Sequence, residues 1–536
     1  MNMYSTFLSF SVVGKSDWYL PGGCLTEREN IAIMTPKSYK NVGVLSMKRQ
    51  IVWLMTDTTR YDMLGCYGFA DMQTPNLDAL AREGVRFDRA YSAQPVCGPA
   101  RSALFTGLFP HENGSWGNSM PLGQDVMTLG QRLSSHGIPC SFIGKWHLDG
   151  GDYFGYGICP PGWDPEYWYD MKCYLDELGS DEERLRSRMN KTRYDGMDER
   201  FTYGYRCTER AVRYLEQHGD GDFFLTVSFD EPHGPALCPQ PYASMYEGES
   251  LPDTPAMHDS LENKPLYQRL WAQTTNPDRE AVRRAQALSC NAFIDDLIGR
   301  IIGKVHEVAP DALILFTSDH GAALGAHGLN TKGAAIYDEI ARIPLIFAGG
   351  GCQKGQVVDG VVSHVDLPAT VLDYMGVPIP RAFTGKSLMG VLSGREEAPG
   401  RAFVEFNRYE RDHDGFGGLQ LMRALITNEY KLALHLTDTD EFYVTAQDPY
   451  DLENRIDAPD CRAVRDRMHD RLLDWMNATR DPFRGYQWQC RPWRTDRRPR
   501  WAVDGFTRQP ENEPGEYRQL DYNTGLTMEQ AVRAKE

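Results

Sequence analysis

Apolar runs of strand length recur along most of the chain, and each of the clearest ones is closed by polar or ionisable residues. The run at 50–56 is continuously apolar from Ile51 to Met55, the pattern of a strand buried on both faces of a parallel sheet, and further runs of strand length stand at 138–143, 223–229, 312–317 and 344–348. Segments of helical character separate them, at 75–81, 127–136, 209–218 and 280–306, the first opened by Thr74-Pro75 and closed by Gly84. A short strand is predicted at 85–87. This alternation predicts an α/β fold: a large, mostly parallel sheet sandwiched by helices. From about residue 401 the texture changes to short apolar runs, 402–406 and 421–425, broken by turns and followed by a helix at 461–476. That suits a smaller C-terminal α+β domain. The expected division is an extension outside the fold at 1–46, a main α/β domain at 47–395, and the C-terminal domain with its tail at 396–536.

The strand ends carry the chemistry. The run at 50–56 leads into Asp57-Thr58, the run at 138–143 into Gly144-Lys145-Trp146-His147, and the run at 223–229 into Asp230-Glu231-Pro232-His233. The run at 312–317 leads into Ser318-Asp319-His320-Gly321, with Lys332 downstream. Open α/β sheets bind ligands at the carboxyl ends of their strands, so four such ends mark one site. On an extended backbone Lys145 and His147 would point to the same side, and Pro232 stiffens the turn that carries His233.

A second signal is the stretch from Gln94 to Gly107, where Cys97-Gly98-Pro99 precedes a run of helix formers. Pro99 fits a first helical turn, which puts Cys97 at a helix N-terminus. The partial positive charge there favours an anionic group, and Arg101, one turn on, reaches the same small volume.

Composition narrows the function. A length of 536 residues, 41% hydrophobic and 24% charged, allows a large core and two domains. A net charge of -17 argues against nucleic acid as a partner, and it requires an anionic substrate to be drawn by a local cationic pocket. The tryptophans Trp488, Trp493 and Trp501, set among arginines, are accordingly expected to pack on their own domain. The 12 cysteines are scattered without a Cys-x-x-Cys pair, which suggests free thiols in a reducing compartment. No apolar run approaches a membrane span, and no convincing signal peptide is present, so a cytoplasmic location and no membrane partner are expected. Asn113-Gly114-Ser115 and Asn477-Ala478-Thr479 fit the glycosylation pattern but say nothing unless the chain is secreted.

The ordered set Asp57, Cys97-x-Pro99-x-Arg101 followed by Thr106-Gly107, Lys145-x-His147, Pro232-His233, Asp319-His320 and Lys332 resembles the active site of the type I sulfatases of the alkaline phosphatase superfamily, across roughly residues 48–390. Agreement over separated motifs in one order is specific. The likeness extends from Met47 over nearly the whole chain to an uncharacterised sulfatase-like protein of enteric bacteria. It is carried there by Gly144-Lys145-Trp146-His147-Leu148-Asp149-Gly150, Glu405-Phe406-Asn407-Arg408-Tyr409-Glu410 and Arg491-Pro492-Trp493-Arg494.

The resemblance implies that a maturation enzyme oxidises Cys97 to formylglycine (3-oxoalanine), whose hydrate attacks a sulfate ester of a small molecule or carbohydrate. Asp57, Asp319, His320 and the modified Cys97 would hold a divalent cation, usually Ca2+ in the family, with Mg2+ or Mn2+ as alternatives. Asp319 would serve as base, Arg101, Lys145 and Lys332 would offset charge on the sulfuryl oxygens, His233 would protonate the leaving alcohol, and His147 would hold the second hydroxyl. Many sulfatases have a second carboxylate where this chain has Thr58, a neutral and weaker oxygen ligand. Related phosphonate monoester and phosphodiester hydrolases also lack it, which keeps phosphoryl transfer as the alternative reaction. A binding protein with an unmodified Cys97 is the non-catalytic alternative. Asn407 and Arg408, with His413 and Asp414, open a polar segment at 407–418 expected to reach over the cleft and read the alcohol. His111, His327 and His364 take no role from the resemblance.

Overall fold

The computed structural model describes residues 48–151, 153–248, 252–410, 419–494 and 496, all within one compact unit, Lys48–Glu536. The expected extension at 1–46, His413, Asp414 and Trp501 lie outside the described residues.

The larger sheet contains β1 (Gln50–Asp57), β2 (Val85–Tyr91), β3 (Cys140–Gly144), β4 (Phe223–Pro232), β5 (Leu313–Ser318), β6 (Arg342–Ala348), β7 (Gln356–Val358) and β8 (Val362–Ser363). Its order is β3-β4-β1-β5-β6-β2-β7, with β8 paired to β2. Strands β3, β4, β1 and β5 run parallel. Strand β6 is antiparallel to β5 and to β2, so the sheet is mixed and mostly parallel. The four parallel strands are the ones whose carboxyl ends carry the predicted site.

Burial on both faces explains why β1 is apolar from Ile51 to Met55. Ile51, Trp53 and Met55 enter one buried layer with Leu104 and Phe105, while Val52 and Leu54 enter the opposite layer with Leu77, Ile294 and Ile298. Both faces are covered by helices, so a polar group in β1 is costly to bury without a partner. Strand β2 runs on to Tyr91, past the predicted 85–87. Arg86 and Asp88 on its half-buried face pair at 2.8 Å, which hides the strand pattern in charged residues. The predicted helix at 280–306 spans Pro277–Val308, opened by Asn276, whose side chain accepts from Arg279 N at 3.0 Å. The predicted helix at 209–218 starts earlier, at Tyr203, where Thr202 caps it.

The smaller sheet is antiparallel, in the order β12-β11-β10-β9, built from β9 (Arg401–Arg408), β10 (Leu419–Thr427), β11 (Tyr430–His435) and β12 (Glu441–Val444). One face puts Val404, Met422, Ala424 and Ile426 against Tyr91 and Tyr337 of the main body. The other puts Leu425, Leu432 and Leu434 against Met468, Leu472 and Trp475 of the helix Arg462–Ala478. Trp488 is buried in that second layer and Trp493 packs against it. The eleven described cysteines are all free, and no described helix is long and apolar enough to cross a membrane.

Gly144 closes β3 at φ +117°, where a Cβ would stand 1.9 Å from the Ser228 carbonyl oxygen of β4. Only glycine allows that approach, which delivers Lys145 to the sheet end. Gly144→Ala is therefore expected to destabilise the protein by about 2–4 kcal/mol in urea denaturation, from overpacking and a strained backbone together.

Candidate active site

The carboxyl ends of β1, β3, β4 and β5 are neighbours, so residues distant in sequence share one volume. Asp57 is the last residue of β1, Lys145 follows β3, His233 follows β4 and Asp319 follows β5. The helix Cys97–Thr106 points its first turn at them. Leu104 and Phe105 pack beneath the sheet end with Trp53, Phe142 and Trp146. Gly98 N in that first turn donates to Asn118 Oδ1 at 2.9 Å, which satisfies one of the helix's orphan donors.

Cys97 is 1% exposed. Lys332 Nζ lies 3.0 Å from its sulfur, His320 Nε2 3.3 Å and Asp57 Oδ1 3.7 Å. Burial and the Asp57 charge act to raise the thiol, but Lys332, Lys145 and His320 overcome them and hold it well below its ordinary value. One ligand atom each from Asp57, Cys97, Asp319 and His320 lie within 4.8 Å of one another. His320 Nδ1 faces the Gly321 carbonyl at 2.8 Å. A carbonyl only accepts, so Nδ1 carries a proton. Against burial, Asp319 and Cys97 raise His320 above its ordinary value and favour a second proton on Nε2, which a cation bound in the cluster would displace. Two buried carboxylates and an imidazole of fixed tautomer fit a divalent cation.

Arg101 organises the carboxylates. Its Nε donates to Asp319 Oδ2 at 3.0 Å and its Nη2 to Asp57 Oδ2 at 3.2 Å, while Nη1 donates to the Lys145 carbonyl at 2.6 Å and to Ser228 Oγ at 2.7 Å. The guanidinium is wholly buried. Asp319 Oδ1 also accepts from the backbone N–H of Thr58 at 3.1 Å and of His320 at 2.9 Å. Lys145 Nζ bridges Asp57 at 2.7 Å and Asp230 at 3.1 Å. Burial alone would push Asp57 up, yet Lys145, His233, Lys332 and Arg101 hold it well below the usual carboxylate range. Burial and repulsion from Asp57 push Asp319 up to about 6. Two facing carboxylates divide in this way, one ionising easily and one reluctantly.

The sequence-predicted residues come together with three differences. His147 is buried, and burial with the Lys145 and Arg101 charges lowers its basicity against the opposing hydrogen bond to Cys97. Its backbone has φ 61°, so it reaches the site through a left-handed turn and not along the extended path that Lys-x-His suggested. Thr58, at φ 74°, turns its hydroxyl to donate to Asp57 Oδ1 at 2.7 Å. Asn407 is fully buried, its amide donating to Gln94 and Glu405 at 3.0 Å each, so it braces the turn before Cys97 from behind instead of facing an alcohol. Arg408 is half-buried, and its carbonyl accepts from Gln94 Nε2 at 3.4 Å. His364 and His327 are buried outside the cluster, and His111 is buried against Glu405. Sequence reasoning missed Asn118, Tyr153, Ser228 and Asp230. Asp230 stood in view three residues before His233, whereas Tyr153 lies in a loop without periodicity.

The family model described as Sulfatase matches residues 49–377. The chain belongs to the sulfatase family. A model for the N-sulphoglucosamine sulphohydrolase C-terminal region matches residues 325–478. The uncharacterized sulfatase YidJ of Escherichia coli (strain K12) is 42% identical over 501 residues, covering 91% of this chain and 99% of that one. A phosphonate monoester hydrolase from Silicibacter pomeroyi superposes with a TM-score of 0.69 at 23% identity, covering 81% of this sulfatase and 96% of that chain. A protein solved with its substrate, D-glucosamine-2-N,6-O-disulfate, superposes at 0.67 and 21% identity, covering 81% and 99%. Both likenesses are of fold. Family membership makes the chain a sulfuric ester hydrolase.

Two outcomes are expected. Arg101→Lys removes the fork that bridges both carboxylates and should destabilise the protein by about 3 kcal/mol, with at least tenfold weaker binding of added Ca2+ in calorimetric titration. Glu231, beside Asp230, accepts from Gly204 N at 2.9 Å, and burial with the Asp230 charge pushes it up to about 7. The folded state then keeps a proton that the unfolded chain has lost, so this stabilisation is full at low pH and disappears as pH rises to 7. Glu231→Gln should therefore gain on the natural protein in urea denaturation between pH 5 and pH 8.

Proposed function

We propose that this sulfatase hydrolyses the sulfate ester of a sugar or another small alcohol, with Cys97, oxidised to formylglycine, supplying the attacking hydroxyl as its hydrate. The observation that carries the reading is the position of Cys97 Sγ, within 3.0–3.7 Å of Lys332, His320 and Asp57 and in a cluster with Asp319. Its sulfur occupies the place that a hydrate oxygen would take. At 1% exposure Cys97 is closed to a maturation enzyme in the folded protein, so that enzyme acts while the chain is still open.

Asp57, Asp319 and His320 would hold a divalent cation, Ca2+ by the family's habit with Mg2+ or Mn2+ as alternatives, and such an ion supplies a Lewis acid that polarises the sulfate and fixes its orientation. Asp319, the more basic of the two carboxylates, takes the proton from the attacking hydroxyl. Lys145 and Lys332 offset charge on the sulfuryl oxygens as the ester bond breaks. Arg101 acts one step removed, because most of its donors are spent on Asp57, Asp319, Ser228 and the Lys145 carbonyl. His233 protonates the leaving alcohol. His147, uncharged in its buried position, accepts the proton from the second hydroxyl as the sulfated intermediate returns to the aldehyde.

A sulfated sugar is supported by the relative named N-acetylglucosamine-6-O-sulfatase in Bacteroides thetaiotaomicron, 26% identical over 463 residues. Thr58 favours a second reading, because a site with one carboxylate fewer suits the phosphonate monoester hydrolases whose fold it shares.

Mass spectrometry of the Cys97 peptide, from protein made with a maturation enzyme, is expected to show the aldehyde, and Cys97→Ala should lose all detectable turnover. An unmodified thiol would favour a binding role. The matured protein should prefer an aryl sulfate to an aryl phosphonate or phosphodiester of the same alcohol. The opposite preference would assign it to phosphoryl transfer.

A further inference from the structure

A tyrosine that sequence reasoning passed over joins the leaving-group side of the site to a buried carboxylate. Tyr153 OH donates to Asp230 Oδ1 and lies 3.2 Å from His233 Nδ1, and the two rings stack with centroids 5.0 Å apart at 28°. The same Asp230 oxygen accepts from the Lys145 ammonium at 3.1 Å, which keeps the carboxylate charged. Lys145 Nζ also lies 4.0 Å above the Tyr153 ring, and the Arg188 guanidinium 4.7 Å from its centroid, so cations flank the ring. With its proton committed to Asp230, the phenol oxygen can only accept from His233. The Gly234 carbonyl, 3.1 Å from the same Nδ1, can also only accept. Both partners put the proton on Nδ1, and Nε2 is left for the substrate.

From this geometry we infer that Tyr153 is a positioning residue for His233, holding one proton on Nδ1 so that Nε2 faces the departing alcohol and gives up the second proton that the ring carries as an imidazolium. The arrangement does for an acid what the buried carboxylate of a hydrolase triad does for a base: it selects the tautomer and the orientation of the ring. It rests on the assignment of His233 as the proton donor. A tyrosine placed between carboxylate and histidine also keeps the negative charge one side chain further from the anionic ester than a direct pair would.

The test compares the natural protein, Tyr153→Phe, His233→Ala and the double variant on aryl sulfates of graded leaving-group pKa and on an alkyl sulfate. A general acid contributes most when the leaving group is poor. Tyr153→Phe is expected to lower kcat/KM about 10-fold to 100-fold on the poorest leaving groups and less than threefold on 4-nitrophenyl sulfate, and to add nothing to His233→Ala. An equal loss on all substrates, or full additivity with His233→Ala, would overturn the inference. The nitrogen chemical shifts of His233 in labelled, metal-free protein give a reading independent of turnover. The Nδ1–H tautomer should dominate in the natural protein and mix with the other in Tyr153→Phe, and unchanged shifts would overturn the inference. If no sulfate ester is hydrolysed even by the matured natural protein, the proposed function fails, and the tautomer still decides the role of Tyr153.

Discussion

Asp57 and Asp319 are fully buried and face one another, and like charges so placed would force the ends of β1 and β5 apart or force one carboxylate to stay protonated. Arg101 resolves the conflict before any ion binds, since its planar fork reaches both carboxylates and the carbonyl that follows β3. The guanidinium can stand there because the helix Cys97–Thr106 is anchored from below, with Phe105 in contact with the rings of Trp53, Phe142 and Trp146. The apolar layer thus fixes the charged one: a shift of Phe105 would move Cys97 and Arg101 together.

Charge at the site differs from charge over the chain. Asp57, Asp319 and Asp230 are matched within the cluster by Arg101, Lys145 and Lys332, so a divalent cation would leave the cavity with a net positive charge inside a protein of net charge -17. An anionic ester is then held by short-range contacts in a low-dielectric volume, where Coulomb terms are large, while the repulsive outer field is screened by salt within about 10 Å. Such a protein selects its anion by fit at the strand ends and gains little from long-range steering.

The fold was legible because burial on both faces leaves a strong mark. A strand such as β1, with Trp53 on one side and Leu54 on the other, cannot be mistaken for a surface element, and its terminal Asp57 stands out against it. The same contrast made Asp319 and Lys145 visible. Charged faces hid the rest, as in β2, where Arg86 and Asp88 pair with each other on a half-buried face. The site was legible wherever a residue sat within a few positions of a strand end. It was illegible where tertiary contacts alone bring a loop in, as with Tyr153 and Asn118. Asn407 shows the same limit: a polar residue beside a glycine-rich segment looks exposed, and only the Gln94 and Glu405 side chains reveal that its amide nitrogen is bonded inside.

Those contacts also explain what the small sheet does for a site whose metal-ligand cluster, among the described residues, draws no member from it. The end of β9 is stitched to the loop that follows the cysteine helix, through Asn118 N donating to the Tyr409 carbonyl at 2.9 Å and Ser119 Oγ to Glu410 at 3.3 Å. Asn118 in turn caps the first turn of that helix, so the small sheet, the loop and the nucleophile position form one hydrogen-bonded path. The smaller sheet cannot be displaced without loosening the turn that carries Cys97. That coupling accounts for the two sheets packing within one compact unit, although the chain joins them only through the segment that leads into β9.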